Sequence, residues 1–431
     1  MCNPPWMVDD SSTSTNARTV PRAGRLALGT AYWRMWTAAS LSSLADGILK
    51  VALPLVAVGF TRSPTLIAGL AFAFTLPWLV FALPVGALAD RLDRRRLMLG
   101  ANLVRAALLA ALMFTVLLDA GSIWALYAIA LCVGTAETVY DTSAQSIVPQ
   151  VVRRDQLPRA NGRLYAAELT TNEFAGPPLA GFLAAAGIVI ALVVPTALWI
   201  VAAAALLLVR GSFRVERAQR TTLRSDIAEG LRFLWRHRIL RTFTVMVGLF
   251  NFTSGATLAI FVLYAVGPAS AMGLSEQAYG WLLATFAGGS LAGSFAAEWI
   301  ERILGRSHTL ALGFLAGALS VGVPALTTNP FLIGAAFLAG GAGIIISNIV
   351  MVSLRQQITR NRLLGRVNSA HRLVAWGTKP LGAAAGGLLA QLLGLRAVFA
   401  VMGLLALAVL AGMTVVTDGA MAAAERDTDQ F

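Results

Sequence analysis

The chain has 431 residues, of which 57% are hydrophobic and only 13% charged, and its mean hydropathy is +0.71. Soluble domains carry about 25% charged residues, so this composition excludes a water-soluble enzyme, and its apolar content excludes a disordered chain. The formal net charge of +13 would suit a nucleic-acid-binding protein if the chain were soluble, so the placement of the basic residues decides what the charge means.

Residues 1–25 are polar and lack the apolar core of a signal peptide, so we expect 1–29 to form a disordered tail. Apolar stretches of about 20 residues, the length of a membrane-spanning helix, follow along the rest of the chain. There are twelve of them, at 36–60, 66–89, 97–118, 123–148, 164–187, 188–209, 243–266, 278–300, 310–326, 331–354, 367–393 and 397–416.

The arginines concentrate in the tail and in every second connection between these stretches. Those connections are 90–96, 149–163, 210–241, 301–308 and 355–366. Only Arg62 and Arg396 lie in the opposite set of connections. Because cytoplasmic loops carry the excess of basic residues, we expect a multi-pass protein of the cell membrane with both termini in the cytoplasm. The basic residues then contact membrane lipids and not nucleic acid.

An internal repeat divides the chain into two halves of six helices each. The loop RRDQLPRANG at 153–162 matches RNRLLGRVNS at 360–369, where Leu157, Arg159 and Asn161 recur as Leu364, Arg366 and Asn368 at a constant offset of 207. Many secondary transporters consist of two such repeats with a cavity between them. The predicted units are a cytoplasmic tail (1–29), a first bundle (30–210), a linker with an amphipathic helix (211–241), a second bundle (242–416) and a second cytoplasmic tail (417–431).

The connection after the second stretch reads GALADRLDRRRL, residues 86–97, and the fifth stretch contains GPPLAG at 176–181. With these two segments the chain resembles the major facilitator superfamily, in particular its bacterial drug and siderophore exporters, such as macrolide-efflux and enterobactin-export proteins. The resemblance implies an all-α membrane protein with twelve transmembrane helices in two pseudo-symmetric six-helix bundles.

The resemblance also implies a conformational latch in the first of these segments. The residues that match the superfamily's signature loop are Gly86, Asp90, Arg91, Arg94 and Arg95. In the family, the aspartate is thought to hold the outward-facing state through partners on the fourth and eleventh helices. These partners correspond here to Asp141 and to Arg366 or Arg372. Electrostatic anchoring of the loop in the cytoplasm is the alternative.

The segment GPPLAG resembles the family's antiporter motif, which Gly176, Pro177 and Gly181 match. Its small residues and proline allow a helix between the halves to bend and to pack closely, and the resemblance implies export. The arginine-centred motif that is usual in the fourth helix of the family is missing here, so the resemblance does not supply the usual site of proton coupling.

Six ionisable groups lie inside the predicted spans, where each costs at least about 2.5 to 3.5 kcal/mol and marks a candidate functional site. They are Asp46, Lys50, Glu137, Glu168, Glu173 and Lys379. We predict that Asp46 carries the coupled proton, with Glu173 and then Glu137 as the next candidates. Asp46 and Lys50 are one helical turn apart, so a mutual ion pair is an alternative role for them.

Two other pairings follow from the positions of these groups. Glu173 and Lys379 lie near the middle of the repeat-related fifth and eleventh helices, where they can face each other or the substrate. Glu168 and Arg105 are interpreted as structural partners near the cytoplasmic face.

Polar and aromatic side chains near mid-span predict a substrate cavity. Its candidate residues are Lys50, Tyr140, Asn251, Trp376 and Lys379. The chain has no phosphate-binding Gly-Lys-Ser/Thr loop and no zinc-type cluster of Cys and His, so we expect no cofactor, no metal and no enzymatic reaction.

The sequence therefore predicts a proton-coupled secondary active exporter of lipophilic drugs, natural products or siderophore-like small molecules. It would act as a monomer by alternating access, with a small-molecule substrate and protons as its partners. A proton-coupled uptake symporter on the same fold and a non-transporting membrane scaffold or sensor are the alternatives.

Overall fold

Apolar stretches of this length form helices because backbone N–H and C=O groups find no water partners in the hydrocarbon of a bilayer. A computed structural model of the chain describes residues 28–89, 92–118, 120–153, 156–209, 211, 213, 223–359 and 361–429. Its helices are α1 (Thr30–Phe60), α2 (Pro64–Ala89), α3 (Arg94–Leu117), α4 (Ile123–Val151), α5 (Leu157–Glu168), α6 (Gly176–Ala186), α7 (Ile188–Leu207), α8 (Leu223–Arg236), α9 (Arg238–Ala265), α10 (Glu276–Gly322), α11 (Pro330–Ile358), α12 (Asn361–Leu393), α13 (Leu395–Leu407) and α14 (Asp418–Asp429). Residues 1–27 of the predicted N-terminal tail lie outside the described ranges.

Three of the apolar passes depart from a plain α-helix, one of them only in a short 3-10 turn, Val323–Ala325, directly after α10. A π-helical segment, Leu169–Ala175, joins α5 to α6, so that 157–186 forms one continuous rod. A 3-10 turn at Ala408–Thr414 extends α13. Within the described residues, nine helices are long and apolar enough to cross a membrane.

One of these nine helices, α10, crosses the membrane twice. It has 47 residues, about 70 Å at 1.5 Å per residue, which is roughly twice the hydrocarbon thickness of a bilayer. At its centre Gly305 has φ 75° and ψ 164°, a conformation that favours glycine. A Cβ added to Gly293 would lie 2.7 Å from the Ala342 oxygen, and one added to Gly313 would lie 2.4 Å from the Gly343 oxygen. Both arms of α10 therefore reach the same level of α11, and the helix folds back at Gly305.

The rod 157–186 and helix α12 are the remaining crossings. Neither meets the length and hydropathy of a simple span, because the first is interrupted by the π segment and the second begins with a polar stretch. With these and the second arm of α10, the described residues make the twelve predicted crossings.

The two halves repeat one helix contact. In the first half, a Cβ on Gly47 of α1 would lie 2.3 Å from the Asn172 oxygen in the π segment. In the second half, a Cβ on Gly255 of α9 would lie 2.7 Å from the Lys379 oxygen in α12. These residue pairs are related by very nearly the offset that relates the repeated loops. In each half, the first membrane crossing therefore closely approaches the fifth crossing, and this contact is shared by the two repeats.

The halves contact each other through α2 with α12 and through α6 with α10. On Gly181 of α6, a Cβ would lie 2.3 Å from the Glu276 oxygen of α10, and on Gly387 of α12 it would lie 2.5 Å from the Ala68 Cβ of α2. All four positions are near the helix ends that lie on the face opposite the chain termini. We call that the opposite side and the face with the arginine-rich connections the basic side. The two halves are thus packed together on the opposite side.

Two short helices lie on the basic side. Helix α8, within the predicted linker, packs on α12, where Arg366 donates a hydrogen bond to the Glu229 carboxylate and Leu234 is fully buried. Helix α14, within the predicted second tail, contacts the connection inside α10, where Arg306 pairs with Glu425. The backbone N–H of Ser307 also donates to Asp418 Oδ1 at 2.9 Å.

Candidate functional site

A cavity of about 300 Å³ lies between the two halves, and we call it the interface cavity. Helices α1, α2, α9 and α12 and the π segment line it. Its walls are mainly aliphatic, but three charged side chains reach it, namely Lys50, Glu173 and Lys379. Three of the predicted site residues, from three different helical segments and both halves, therefore meet in one space.

Lys50 is anchored to the π segment. Its Nζ lies 2.8 Å from Asn172 Oδ1 and 3.3 Å from Glu173 Oε1. A π-helical turn widens the helix locally and occurs frequently at functional sites. Close approach of α1 at Gly47 places Lys50, one turn further on, within reach of this widened turn. The cavity side chains of the first half are thus positioned by a backbone contact that only glycine permits.

Lys379 enters the same cavity from the second half. Its Nζ lies 5.1 Å from the centroid of the Trp376 ring, within the range of a cation–π interaction. Among the described residues, no carboxylate forms an ion pair with the Lys379 ammonium. Glu173 is the acidic group that interacts with it electrostatically, and Glu173 is bonded to Lys50. The interface cavity therefore holds two ammonium groups and one carboxylate.

Asp46 lies outside this cavity in a buried cluster of the first half. Its Oδ1 accepts a hydrogen bond from Arg105 at 2.6 Å and from Trp199 Nε1 at 3.2 Å. The Arg105 guanidinium is fully buried, donates to Asn102 Oδ1 at 2.5 Å and lies over the Trp199 ring. The alternative of an Asp46–Lys50 pair is wrong, because the two side chains leave α1 toward different neighbours.

The interpretation of Arg105 and Glu168 as partners is also wrong. Arg105 is bound to Asp46, whereas Glu168 lines a second cavity of about 420 Å³ on the basic side of the first half. We call it the first-half cavity, and Tyr140 and Asp141 of α4 line it as well.

Glu137 lies one helical turn before Asp141 on α4 and is only 7% exposed. Among the residues that the structure describes, no cation forms an ion pair with its carboxylate. Its electrostatic neighbours are Asp46, Lys50, Arg105 and Glu168. Glu137 is therefore a buried carboxylate that interacts with the charges of the Asp46 cluster, with Lys50 of the interface cavity and with Glu168 of the first-half cavity.

The residues predicted to form the latch are only partly described. Asp90 and Arg91 lie outside the described residues, as do the surroundings of Gly86. Arg94 donates from Nη1 to the Ser146 carbonyl of α4 at 2.5 Å. Arg95 donates to the Leu206 and Leu207 carbonyls at 2.8 and 2.9 Å, which caps the C-terminus of α7.

Asp93, in the same segment, is the N-cap of α3. Its carboxylate accepts from the Arg96 N–H at 3.1 Å and from the Phe213 N–H at 2.9 Å. Of the predicted latch partners, Arg366 is bound to Glu229, and Asp141 faces the first-half cavity. The described part of the signature loop thus holds helices of its own half together.

The predicted antiporter motif lies where the π segment passes into α6. A Cβ on Gly176 would lie 2.7 Å from the Gly47 Cα, and one on Gly280 of α10 would lie 2.4 Å from the Pro177 oxygen. Gly181 faces the backbone of α10 at Glu276. The three motif residues thus make close backbone contacts with α1 in the first half and with α10 in the second half. The motif is therefore part of the contact between the two halves.

Three predicted cavity residues lie apart from the interface cavity. Asn251 Nδ2 donates to the Ala375 carbonyl at 2.7 Å, which ties α9 to α12. Tyr140 lines the first-half cavity, and the Arg105 guanidinium lies 4.8 Å from its ring centroid. Trp376 contacts Lys379 but is itself part of a stack between the halves. The predicted set is therefore distributed over two cavities and two helix contacts.

That stack is a feature that sequence reasoning missed. The guanidinium of Arg372 lies 4.9 Å from the Trp78 ring centroid and 5.0 Å from that of Trp376, and it donates to Gln145 Oε1 at 3.1 Å. Trp78 and Gln145 belong to the first half, whereas Arg372 and Trp376 belong to the second. The spacing of Arg372 and Trp376, one turn apart on α12, was the available signal.

The model of the family described as "Transmembrane secretion effector" matches residues 28–430. The chain is 29% identical over 384 residues to the multidrug efflux pump Tap of Mycobacterium tuberculosis, with 84% of this chain and 88% of that protein covered. It is 28% identical to Tap of Mycolicibacterium fortuitum, with 85% and 91% covered. A shorter match, 26% identical, covers 30% of this chain and 32% of macrolide efflux protein A of Streptococcus pyogenes.

Solved transporters share the fold. The nucleoside transporter NupG superposes with a TM-score of 0.72 at 11% identity, with 90% of this chain and 99% of that chain covered. A bacterial homologue of the iron transporter ferroportin, in its inward-facing state, gives a TM-score of 0.67 at 17% identity, with 89% and 98% covered. The predicted major facilitator fold is confirmed, and the multi-pass membrane protein described above is a transporter. The chain belongs to the transmembrane secretion effector family.

Proposed function

We propose that this transporter is a proton-coupled exporter of lipophilic small molecules, such as drugs, natural products or siderophore-like compounds, that works by alternating access. The likeness to two multidrug efflux pumps named Tap over most of the chain supports export. The basic connections support an orientation with both chain termini in the cytoplasm. Substrate would enter from that side and leave on the opposite side.

The observation that carries proton coupling is the buried Glu137. A carboxylate buried without a cationic partner is charged only at a large cost in free energy. A proton that joins and leaves such a group can therefore be linked to the conformational change, provided that the two conformations differ in their affinity for it. Glu137 interacts electrostatically with Lys50 of the interface cavity and with Glu168 of the first-half cavity, so a change in water access to either cavity would alter its surroundings.

This proposal reverses the order in which the sequence ranks the acids. Asp46 is held by the fully buried Arg105 and by Trp199, and Glu173 is bonded to Lys50. Protonation of Asp46 would leave the buried Arg105 cation without its partner, which is expensive at a buried site. Glu173 belongs to an exposed ion pair in the interface cavity, where its carboxylate is stabilised by Lys50 and by water. We therefore assign the coupled proton to Glu137, a structural role to Asp46, and a role in the interface cavity to Glu173.

The proposal is tested by dye accumulation in efflux-deficient bacteria that express the protein, measured with and without a protonophore. Ethidium and fluorescein serve as probes, since one is a cation and the other an anion. We expect lower accumulation of at least one dye, a return to the control level on uncoupling, and loss of the effect in Glu137→Gln. Glu298→Gln, the same change at an exposed surface residue, is the matched control and should behave like the unmodified protein.

Each outcome is informative once equal amounts in the membrane are verified. Unchanged accumulation of both dyes contradicts broad export, and increased accumulation indicates uptake. If Glu137→Gln still exports in a protonophore-sensitive way, Glu137 is not the proton carrier. A second assay separates loss of coupling from loss of folding. The Glu137→Gln variant is reconstituted in liposomes, and the exchange of dye across the membrane is measured without a pH gradient. Exchange requires a folded transporter but no net proton movement, so we expect it to persist in the variant.

A further inference from the structure

The charges of the interface cavity do not cancel. Lys50 is bonded to Asn172 and Glu173, so its ammonium and the single carboxylate satisfy each other. Lys379 contributes a second ammonium, and its stabilising contact is the face of Trp376 at 5.1 Å. Among the described residues that line the cavity, there is one more cation than there are anions.

This surplus is unusual for its location. An ionisable side chain inside a membrane-spanning helix pairs with an opposite charge or faces a water-filled space, because an unpaired charge is costly in hydrocarbon. A cation–π contact at a partly exposed site is weak and does not offset that cost. The Lys379 ammonium is therefore compensated by what occupies the cavity, which is water in the absence of a ligand and an anionic group when such a ligand binds.

The rest of the cavity limits what that partner is. Its wall is formed by aliphatic and aromatic side chains, among them Leu53, Leu70, Phe74 and Leu258. A volume of about 300 Å³ is at the lower end of the range for small-molecule sites. A small inorganic anion would leave this apolar wall uncovered, whereas an aromatic or aliphatic body with one acidic group would satisfy both parts.

We propose that the interface cavity binds amphipathic organic anions, with a carboxylate or sulfonate at Lys379 and an apolar body against α1, α2 and α9. This inference rests on the proposed export function and specifies its substrate class. Glu173 then acts as a specificity residue, because it neutralises Lys50 and leaves a single site for an anionic group. A cationic compound of the same shape would place its charge between two ammonium groups.

The test uses two probes with the same naphthalene ring and opposite charge, naphthalene-2-sulfonate and 2-naphthyltrimethylammonium. Purified protein is placed in nanodiscs of zwitterionic phosphatidylcholine, and binding is measured by equilibrium dialysis against empty nanodiscs. We expect the sulfonate to bind at least about ten times more tightly than the ammonium compound. Binding at equilibrium needs no proton gradient, so its result is independent of whether the protein exports.

Variants assign the preference to Lys379. Lys379→Gln should weaken sulfonate binding by about tenfold, or 1.4 kcal/mol, while Lys379→Arg should retain it. Arg396→Gln removes the same charge from an exposed residue outside the cavity and is the matched control. Glu173→Gln should strengthen sulfonate binding, since it frees the Lys50 ammonium. This gain also tests the proposal if Lys379→Gln fails to fold.

Three results would overturn the proposal. The first is equal or reversed binding of the two probes by the unmodified protein. The second is an equal effect of Lys379→Gln and Arg396→Gln. The third is a tenfold loss of sulfonate binding when the nanodiscs contain phosphatidylglycerol, because an anionic lipid would then be the occupant and not a free organic anion. We expect the affinity to be unchanged by this lipid.

Discussion

Two ion pairs lie within one helical turn of each other on α1, and they differ in almost every physical respect. Asp46 and Arg105 are 7% and 0% exposed, 2.6 Å apart, and enclosed by Trp199 and Tyr140. Lys50 and Glu173 are 39% and 55% exposed, 3.3 Å apart, and open to the interface cavity. The first pair has no access for a ligand, whereas the second is at the surface that a ligand would touch.

The difference shows that the presence of a charge in a span does not by itself identify its role. In a sealed pair each charge is compensated by its buried neighbours alone, so removal of one partner is strongly destabilising. An open pair contributes little to stability, because water screens it, and its charges remain available to a substrate. The side-chain environment therefore separates structural charges from those that act in transport.

The largest expected effect is at the sealed pair. Arg105→Met leaves the Asp46 carboxylate buried without its partner, and such changes cost about 3 to 5 kcal/mol. We expect a strongly lowered thermal midpoint in detergent, or loss of folded protein from the membrane. The double variant Asp46→Leu with Arg105→Met should recover most of this loss, because no uncompensated charge remains. Equal instability of the single and double variants would contradict an ion-pair origin of the effect.

The next effect is at the backbone contact that positions the open pair. Gly47→Val would place its Cβ 2.3 Å from the Asn172 oxygen, and overpacking of this kind costs about 1 to 3 kcal/mol. It should also move Lys50 away from Glu173 and reduce transport more than it reduces the amount of folded protein. Gly59→Val on the same helix, where a Cβ would meet nothing within 4 Å, is the control.

A smaller effect is expected at the stack between the halves. Arg372→Gln removes two cation–π contacts, with Trp78 and Trp376, each of about 0.5 to 1 kcal/mol where the rings are partly exposed. Because these contacts join α2 to α12, their loss should favour separation of the halves. Distances between spin labels on the basic-side ends of α2 and α12 should shift toward longer values. Arg372→Lys should behave in between, and an unchanged distance distribution would show that the stack does not hold the halves together.

Most of the fold was predictable because membrane-spanning helices are specified by apolar length and by the placement of arginines. All twelve crossings correspond to apolar stretches of the sequence, and the repeated loops indicate the relation between the halves. The π segment at Leu169–Ala175 and the helical character of 418–429 were not predicted. Hydropathy and helical periodicity carry no signal for a local change from i→i+4 to i→i+5 hydrogen bonds.

The site was predictable only as a set of residues. Sequence identifies Asp46, Lys50, Glu173 and Lys379 as costly charges, but the partner of each depends on the rotation of the helices and on their packing. Asp46 and Lys50 are four residues apart, a spacing that predicts a pair, yet α1 packs Asp46 against α3 and α7 and turns Lys50 toward the π segment. Pairing across distant helices is a property of tertiary structure, which no local pattern encodes.

The smallest expected effect is at the open pair itself. A double-mutant cycle of Lys50→Gln and Glu173→Gln should give a coupling free energy of about 0.2 to 1 kcal/mol, measured from thermal midpoints in detergent. Because the pair is exposed to the cavity, raising the ionic strength from 0.1 M to 1 M shortens the screening length from about 10 to 3 Å and should weaken the coupling further. The same salt change should leave the cycle for Asp46 and Arg105 nearly unaltered, since no ions reach that pair. A salt-independent coupling of several kcal/mol at Lys50 and Glu173 would mean that the cavity is closed to water, and the two pairs would then share one structural role.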